Sequence, residues 1–465
     1  MIAFIALFFP ALIMIFWKHI LCNEDSNWKN ILTEYAFSVV LINLIAISIL
    51  YFIFGSSGSL TEKLNSYLNF AGKYMFLSSV IAFVIPWLWV KCRPFCLLSK
   101  VEDDPATIIL KTDSSRELYL DLIRALSMLL VIFNHTGVKG FMLYSVATKS
   151  PLYPFYMFLS VACKTAVPLY WMVSGALLLP KEESIGRVYR HRVLRMVIVL
   201  MLFSFIHYGW QLLYGQVESF DIKYYFTKLY TSQFSTAYWF IYSYISMLMM
   251  LPLLRIMVKG MSRQHFIYLF VIIITMRGII PILQYLVGQG ELNMNSQLTG
   301  NLFSVNILHF IGGYYFADLL KKEEIISKKM IGWLIAGLIA IILTCLMTQY
   351  KINITGQSDG GYAETFYNNL VSIPTFALFY AARYICINYH PVKWLAKVIK
   401  VCGKASFGIM LLEEALRTQL SFIYSNLLPI LHSLPACLIW ILSVYLCGLL
   451  ITLCLKKIPY IKRLI

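Results

Sequence analysis

Charged residues are scarce in this chain. They make up 13% of its 465 residues, against a hydrophobic share of 60%. Because soluble domains carry about 25% charged residues, the composition excludes a soluble enzyme of this length. The ten cysteines form no Cys-x-x-Cys pair and no cluster with histidine. We therefore expect small buried thiols rather than disulfides or metal ligands, with no metal and no bound cofactor.

Acidic residues are few, 22 against 39 lysines and arginines, and the net charge is +17. In a soluble protein, this excess of positive charge would suggest binding to nucleic acid. Here basic residues alternate between dense and sparse loops, and Lys/Arg-rich loops of membrane proteins stay in the cytoplasm. The alternation predicts a multi-pass protein of the cell membrane, with the lipid bilayer and not nucleic acid as partner, a cytoplasmic C-terminus and an outside N-terminus. The dense loops lie at 187–195, 255–263, 321–329, 383–404 and 456–463.

Long apolar runs fill most of the chain. A membrane-spanning helix needs about 20 mainly apolar residues. Three runs near 2–17, 34–54 and 72–91 precede a polar linker at 93–116, and ten more follow. The prediction is an all-α, polytopic membrane helix bundle, with a three-helix N-terminal transmembrane extension over 1–115 and a ten-helix core over 116–465. The core runs lie near 118–137, 155–179, 193–214, 236–254, 265–287, 301–320, 330–348, 366–388, 405–427 and 434–455.

Charge within a bilayer is costly and usually marks a functional site. Four basic residues lie inside core runs: Arg124, Lys164, Arg277 and Arg417. On the first core helix, Arg124 and His135 are eleven residues apart, so they share one helix face at roughly 16 Å separation. Asp121, three residues before Arg124, is placed to neutralise it. A structural ion pair and an interfacial histidine are the alternative interpretation.

Two further groups of residues suit ligand binding. Arg192 and Arg195 lie one turn apart at the predicted cytoplasmic face, which favours bidentate recognition of phosphate, although positive-inside anchoring gives the same pattern. An aromatic cluster opens the fourth run on the outer side and indicates either an interfacial belt or a platform for sugar stacking. The cluster contains Tyr238, Trp239, Phe240 and Tyr242.

In order along residues 116–455, these segments resemble the acyltransferase-3 family of integral-membrane (O-)acyltransferases, which modify surface glycans and similar acceptors. The resemblance rests on short blocks in the expected order: Tyr119-x-Asp121-x-x-Arg124 with His135, Val167-Pro168-Leu169 before Ser174-Gly175, Arg192-x-x-Arg195, Trp239-Phe240 with Pro252, Phe310-Ile-Gly312-Gly-Tyr314, and Gly403-Lys-Ala-Ser406-Phe-Gly408. One departure is Glu413, which stands where the family usually has histidine. Glu413 and Arg417 are an i,i+4 pair, which we interpret as mainly structural.

The resemblance implies transfer of an acyl group, commonly acetyl from acetyl-CoA or another acyl-CoA, to a hydroxyl of a surface polysaccharide or lipid-linked glycan. His135 is then the general base, in a catalytic set with Arg124 and Asp121. Direct transfer and an acyl-histidine intermediate both remain open.

Binding roles follow from the predicted orientation. We expect Arg192, Arg195 and Ser174 to hold the donor from the cytoplasmic side. We expect the acceptor to meet a second set from outside: Lys164, Tyr238, Trp239 and Tyr242. The alternative function is a secondary transporter or exporter of a small polar substrate, since buried charge and Gly/Pro-interrupted spans are also typical of carriers.

Overall fold

A computed structural model describes residues 114–289, 291–300, 303–356, 370–389 and 391–465. The three predicted N-terminal spans lie outside the described residues. Every regular element among the described residues is a helix, and no strand occurs there. The prediction of an all-α chain is confirmed for this part.

The longer helices are numbered here in chain order. They are α1 Ser114–Asn134, α2 Tyr153–Cys163, α3 Ala166–Leu178, α4 Ile185–Leu213, α5 Ile222–Thr231, α6 Trp239–Gly260, α7 Arg263–Gly288, α8 Val305–Tyr314, α9 Ser327–Thr355, α10 Ser372–Asn388, α11 Lys393–Gln419, α12 Ser421–Leu427 and α13 Ser433–Leu455. Single π-helical turns interrupt α4 and α7 and extend α8, at Tyr189–Val193, Thr275–Ile279 and Tyr315–Leu319. Short α-helices lie at Leu143–Val146, Gln297–Gly300 and Pro459–Leu464, and single 3-10 turns at Gly137–Lys139, Thr236–Tyr238 and Lys322–Glu324.

Several helices are suited to a lipid bilayer. Within the described ranges, six segments are long and apolar enough to cross a membrane. They are Tyr153–Leu178, Ile185–Leu213, Thr236–Gly260, Arg263–Gly288, Ser327–Thr355 and Ser433–Leu455. The chain is therefore a membrane protein. In their described parts, the remaining predicted core runs are also mainly helical, as α1, α8, α10 and α11, but these helices are shorter or carry more charge.

Glycine allows the closest helix crossings. A Cβ atom on Gly175 of α3 would overlap the carbonyl oxygen of Phe310 on α8, and one on Gly313 would overlap that of Met172. A Cβ on Gly403 of α11 would meet the backbone of Asp121 on α1. Since α1 also packs against α3 and α10, it lies among neighbouring helices, and its buried polar residues Asp121 and Ser127 face protein.

The chain divides into two compact units, and the residues of interest lie in one. That unit consists of Lys111–His207, Tyr224–Leu453 and Leu464–Ile465. Tyr208–Lys223 and Cys454–Arg463 belong to the other. All contacts below are within the first unit.

Candidate active site

His135 follows directly on the last residue of α1. The helix ends because Gly137 adopts a positive φ of 56°, which glycine tolerates and other residues rarely adopt. The side-chain amide of Asn134 donates to the carbonyl oxygen of Cys163, at 3.0 Å. This bond ties the end of α1 to the end of α2 and so fixes the position of His135 relative to Lys164.

A buried carboxylate holds the His135 ring. Nδ1 of His135 lies 2.7 Å from Oε1 of Glu413 on α11, and the Glu413 side chain is 0% exposed. The other carboxylate oxygen, Oε2, lies 3.4 Å from Nε of Arg417. A proton on Nδ1 that is donated to the carboxylate leaves the Nε2 lone pair available as a base. The side chains of His135, Glu413 and Arg417 thus form one hydrogen-bonded network.

Sequence analysis identified only one of the two contacts that link His135, Glu413 and Arg417. The Glu413–Arg417 pair is confirmed as a contact, whereas the bond to His135 was not expected. Residues 135 and 413 are 278 positions apart, and helical spacing carries no information across that separation. The available signal was a carboxylate in an apolar run, which is rare without a buried partner.

His135 borders a cavity of about 300 Å³. Lys164, from the junction of α2 and α3, and Trp239, the first residue of α6, line the same cavity. The structure thus brings His135 together with two of the four residues expected to meet an acceptor. Asn306 and His309 of α8 also line it, and sequence analysis had not singled them out. Their spacing of three residues places them on one face of α8.

Tyr238 and Tyr242 are not among the residues that line this cavity. The Tyr238 hydroxyl is buried and donates to the carbonyl oxygen of Leu411, at 2.9 Å. The Tyr242 hydroxyl donates to the carbonyl oxygen of Leu229, at 2.5 Å. Both hydroxyls therefore bind backbone of neighbouring segments, and their geometry fits a structural role.

Arg124 is paired as expected. Nη1 of Arg124 donates to Oδ1 of the buried Asp121, at 2.7 Å. The hydroxyl of Tyr170 on α3 donates to the backbone carbonyl of Arg124, at 3.0 Å. The ion pair within α1 neutralises Arg124 in part, and the Tyr170 bond ties this turn of α1 to α3.

One tyrosine connects the residues expected to hold the donor. The Tyr244 hydroxyl on α6 hydrogen-bonds the Ser174 side chain and interacts electrostatically with Arg192, Arg195 and Arg124. These three arginines therefore lie within electrostatic range of the Tyr244 hydroxyl, and Ser174 lies in hydrogen-bond contact with it. Sequence analysis did not single out Tyr244, because the fourth predicted run contains several other aromatic residues.

Arg192 and Arg195 already have partners. Arg192 donates to both oxygens of Glu183, at 2.8 and 2.6 Å. The buried Arg255 also reaches Glu183, at 2.8 Å. Arg195 donates to the carbonyl oxygen of Leu464, at 3.2 and 3.0 Å. Desolvation raises the pKa of Glu183, but the two guanidinium groups outweigh it and lower that pKa to about 2.

The family model described as an acyltransferase domain matches residues 117–456. No curated protein and no solved structure matches the chain. Among the described residues, no group of three or more His, Cys, Asp or Glu side chains is placed to hold a metal ion. The chain is a membrane acyltransferase and belongs to the acyltransferase-3 family.

Proposed function

We propose that the protein transfers an acetyl group, or another acyl group, from cytoplasmic acyl-CoA to a hydroxyl of a surface polysaccharide or lipid-linked glycan at the cell membrane. The observation that carries the proposal is His135, which lines a cavity and is held from behind by the buried carboxylate of Glu413. A base held by a carboxylate and open to a cavity is what proton removal from an alcohol requires.

In the proposed reaction, Nε2 of His135 takes the proton of the acceptor hydroxyl while that oxygen attacks the thioester carbonyl. The carbon–sulfur bond then breaks, and the CoA thiolate leaves with the proton carried by His135. The acceptor keeps the acyl group as an ester. Glu413 acts as a positioning residue, because it holds Nδ1 and stabilises the imidazolium that forms. Transfer through an acyl-histidine uses the same residues in two steps.

The donor is proposed to enter from the opposite end of α1. Coenzyme A is a polyanion, and Arg124, Arg192 and Arg195 all act electrostatically on the Tyr244 hydroxyl on that side. Because Arg192 forms an ion pair with Glu183, the phosphates of the donor must compete with this carboxylate for Arg192. The basic loops support a cytoplasmic location for this end and an outside location for the His135 cavity.

The direct test uses the purified full-length protein in lipid nanodiscs with radiolabelled acetyl-CoA. The acceptor is surface polysaccharide from cells that lack the gene, treated with alkali to remove ester groups. We expect label in an alkali-labile ester on the polysaccharide, and weaker acetyl-CoA binding for Arg192→Ala. Substrate movement across the membrane without ester formation would instead support the transporter alternative.

A further inference from the structure

One carboxylate is held between two arginines where the segment that joins α3 to α4 meets α6. Glu183 precedes α4 and accepts hydrogen bonds from Arg192 through both of its oxygens, at 2.6 and 2.8 Å. Its Oε2 also accepts a hydrogen bond from Nη2 of Arg255 on α6, at 2.8 Å. A guanidinium group binds the paired oxygens of a carboxylate and those of a phosphate with the same two-bond geometry. The arrangement that holds Glu183 is therefore also suited to a phosphate group.

Arg255 is held in place independently of Glu183. Its Nε and Nη2 donate to the carbonyl oxygen of Leu178, the last residue of α3, at 3.0 and 2.8 Å. Because Leu178 takes the edge between Nε and Nη2, the bond to Glu183 uses the edge between Nη2 and Nη1. Nη1 is buried and has no hydrogen-bond partner among the described residues. An unpaired buried donor is costly, and a phosphate, which has more oxygens than a carboxylate, can satisfy it.

Glu183 can leave this position without breaking a helix. It lies in the non-helical segment 181–184, and its side chain is 16% exposed. Lys181 of the same segment interacts electrostatically with Glu183 and with both arginines. This group contains three cations and one carboxylate, so its net charge favours an anion with more than one negative charge.

We propose that Arg192 and Arg255 form a phosphate site for the acyl-CoA donor, and that Glu183 occupies this site until the donor displaces it. The inference rests on the proposed acyl transfer and adds Arg255 and Glu183 to the donor's binding site. When the donor binds, its phosphate oxygens take the place of the carboxylate, and Glu183 turns towards solvent. The carboxylate lowers the affinity for the donor, because only the fraction of molecules with an open site can bind it.

The test measures equilibrium binding of acetyl-CoA and of S-acetylpantetheine, which has no phosphate, to purified full-length protein in nanodiscs. We expect Glu183→Gln to bind acetyl-CoA about tenfold more tightly than the parent does, because the amide lacks the charge that competes with phosphate. The affinity of this variant for S-acetylpantetheine should equal that of the parent. Parental affinity for acetyl-CoA, or the same change for both donors, would overturn the inference.

Two further variants assign the effect to residues. Glu182→Gln is the matched control, because Glu182 is the adjacent carboxylate but pairs with Lys259; its affinity for both donors should be parental. Arg255→Lys keeps the charge but lacks the guanidinium fork, so it should bind acetyl-CoA about tenfold more weakly and S-acetylpantetheine as the parent does. Parental binding of acetyl-CoA by folded Arg255→Lys would contradict the role of Arg255. The Glu183→Gln result decides the inference even where Arg255→Lys does not fold.

A lipid headgroup is another source of phosphate at a membrane surface. Binding is therefore compared in nanodiscs of phosphatidylcholine and of phosphatidylglycerol. The gain of Glu183→Gln should be present in both. Its loss in phosphatidylglycerol would show that an anionic lipid takes the site, and would overturn the assignment to the donor.

Two results separate this inference from the proposed function. Tighter binding of acetyl-CoA by Glu183→Gln, with no acetyl transfer by the parent to any acceptor, would support the phosphate site and contradict the acyltransferase reaction. Acetyl transfer by the parent, together with parental affinity of Glu183→Gln for acetyl-CoA, would contradict the site and support the reaction.

Discussion

At the scale of single residues, the distinguishing feature is a fully buried glutamate, Glu413, beside His135. Glu413 and Glu414 are adjacent, yet they have different partners. Glu413 binds His135, whereas Glu414 accepts hydrogen bonds from Ser235 and from the backbone and side chain of Thr236, at 2.6, 2.7 and 3.0 Å. Of these two neighbouring carboxylates, Glu413 has the proposed positioning role, and Glu414 has a structural one.

We expect Glu413→Gln to lower kcat by at least about tenfold in folded protein, because a neutral amide stabilises the imidazolium less than a carboxylate does. The KM for acetyl-CoA should stay unchanged. Some loss of folded yield is expected too, since Arg417 loses its charged partner. The measurement is initial transfer rate per folded molecule, after size-exclusion chromatography.

Glu414→Gln is the control for that prediction. It removes a carboxylate of similar placement that does not touch His135, so kcat should remain within a few-fold of the parent. A Glu413→Gln protein whose kcat equals that of Glu414→Gln would show that Glu413 is only structural, as the sequence alone suggested.

Glu183 gives a pH-dependent prediction at the same scale. The two guanidinium groups lower its pKa in the folded protein from the ordinary 4.5 to about 2. A lowered folded pKa means that the stabilisation is present above about 4.5 and is lost as the pH falls towards 2. We expect the thermal midpoint of the parent to fall across this window more steeply than that of Glu183→Gln.

Glu182 is the matched carboxylate for this experiment. It pairs with Lys259 at 2.5 Å but is largely exposed, with 80% of its side chain open to solvent. Solvent screening makes such surface pairs contribute little, so Glu182→Gln should follow the parent curve. An identical pH curve for Glu183→Gln and the parent would show that the Arg192–Glu183–Arg255 cluster does not stabilise the fold.

At the scale of helices, the site depends on close crossings at glycine. Gly313 of α8 abuts the carbonyl oxygen of Met172 on α3. Backbone cannot move aside as a flexible side chain can, so we expect Gly313→Ala to lower the free energy of unfolding by at least about 1–3 kcal/mol. Thermal unfolding in detergent provides the measurement.

The control at this scale is Gly332→Ala in α9, where an added Cβ meets no atom within 4 Å. Alanine is favoured over glycine inside a helix by roughly 0.5–1 kcal/mol, so this variant should be as stable as the parent or more so. A Gly313→Ala protein of parental stability would mean that α3 and α8 cross less closely than described.

The helices also show how far sequence reasoning extends. Apolar runs locate most core helices to within several residues, because length and hydrophobicity are local properties. The break at Lys164 and Thr165 divides one predicted run into α2 and α3, which hydropathy alone does not show. The Asp121–Arg124 pair followed from i,i+3 spacing and is confirmed. The His135–Glu413 and Tyr244–Ser174 contacts join distant segments, so they needed the fold.

At the scale of the whole molecule, the account depends on which side each loop faces. The alternation of basic loops predicts that Lys228 lies outside and Lys328 inside. In a cysteine-free background, we expect Lys228→Cys to react with an impermeant thiol reagent in intact cells. Lys328→Cys should react only after the membrane is permeabilised. Labelling of position 328 in intact cells would contradict the predicted orientation. The proposed donor and acceptor sides would then lie on the wrong faces of the membrane.

The most direct test of the whole account is acetyl transfer by purified His135→Ala protein in nanodiscs. His432→Ala is the matched control, since His432 is exposed and does not line the cavity. We predict that His135→Ala lowers the rate of acetyl transfer by about 10²-fold or more, with folded yield and acetyl-CoA binding retained, while His432→Ala keeps the parental rate. Turnover of His135→Ala within a few-fold of the parent would contradict the proposed mechanism.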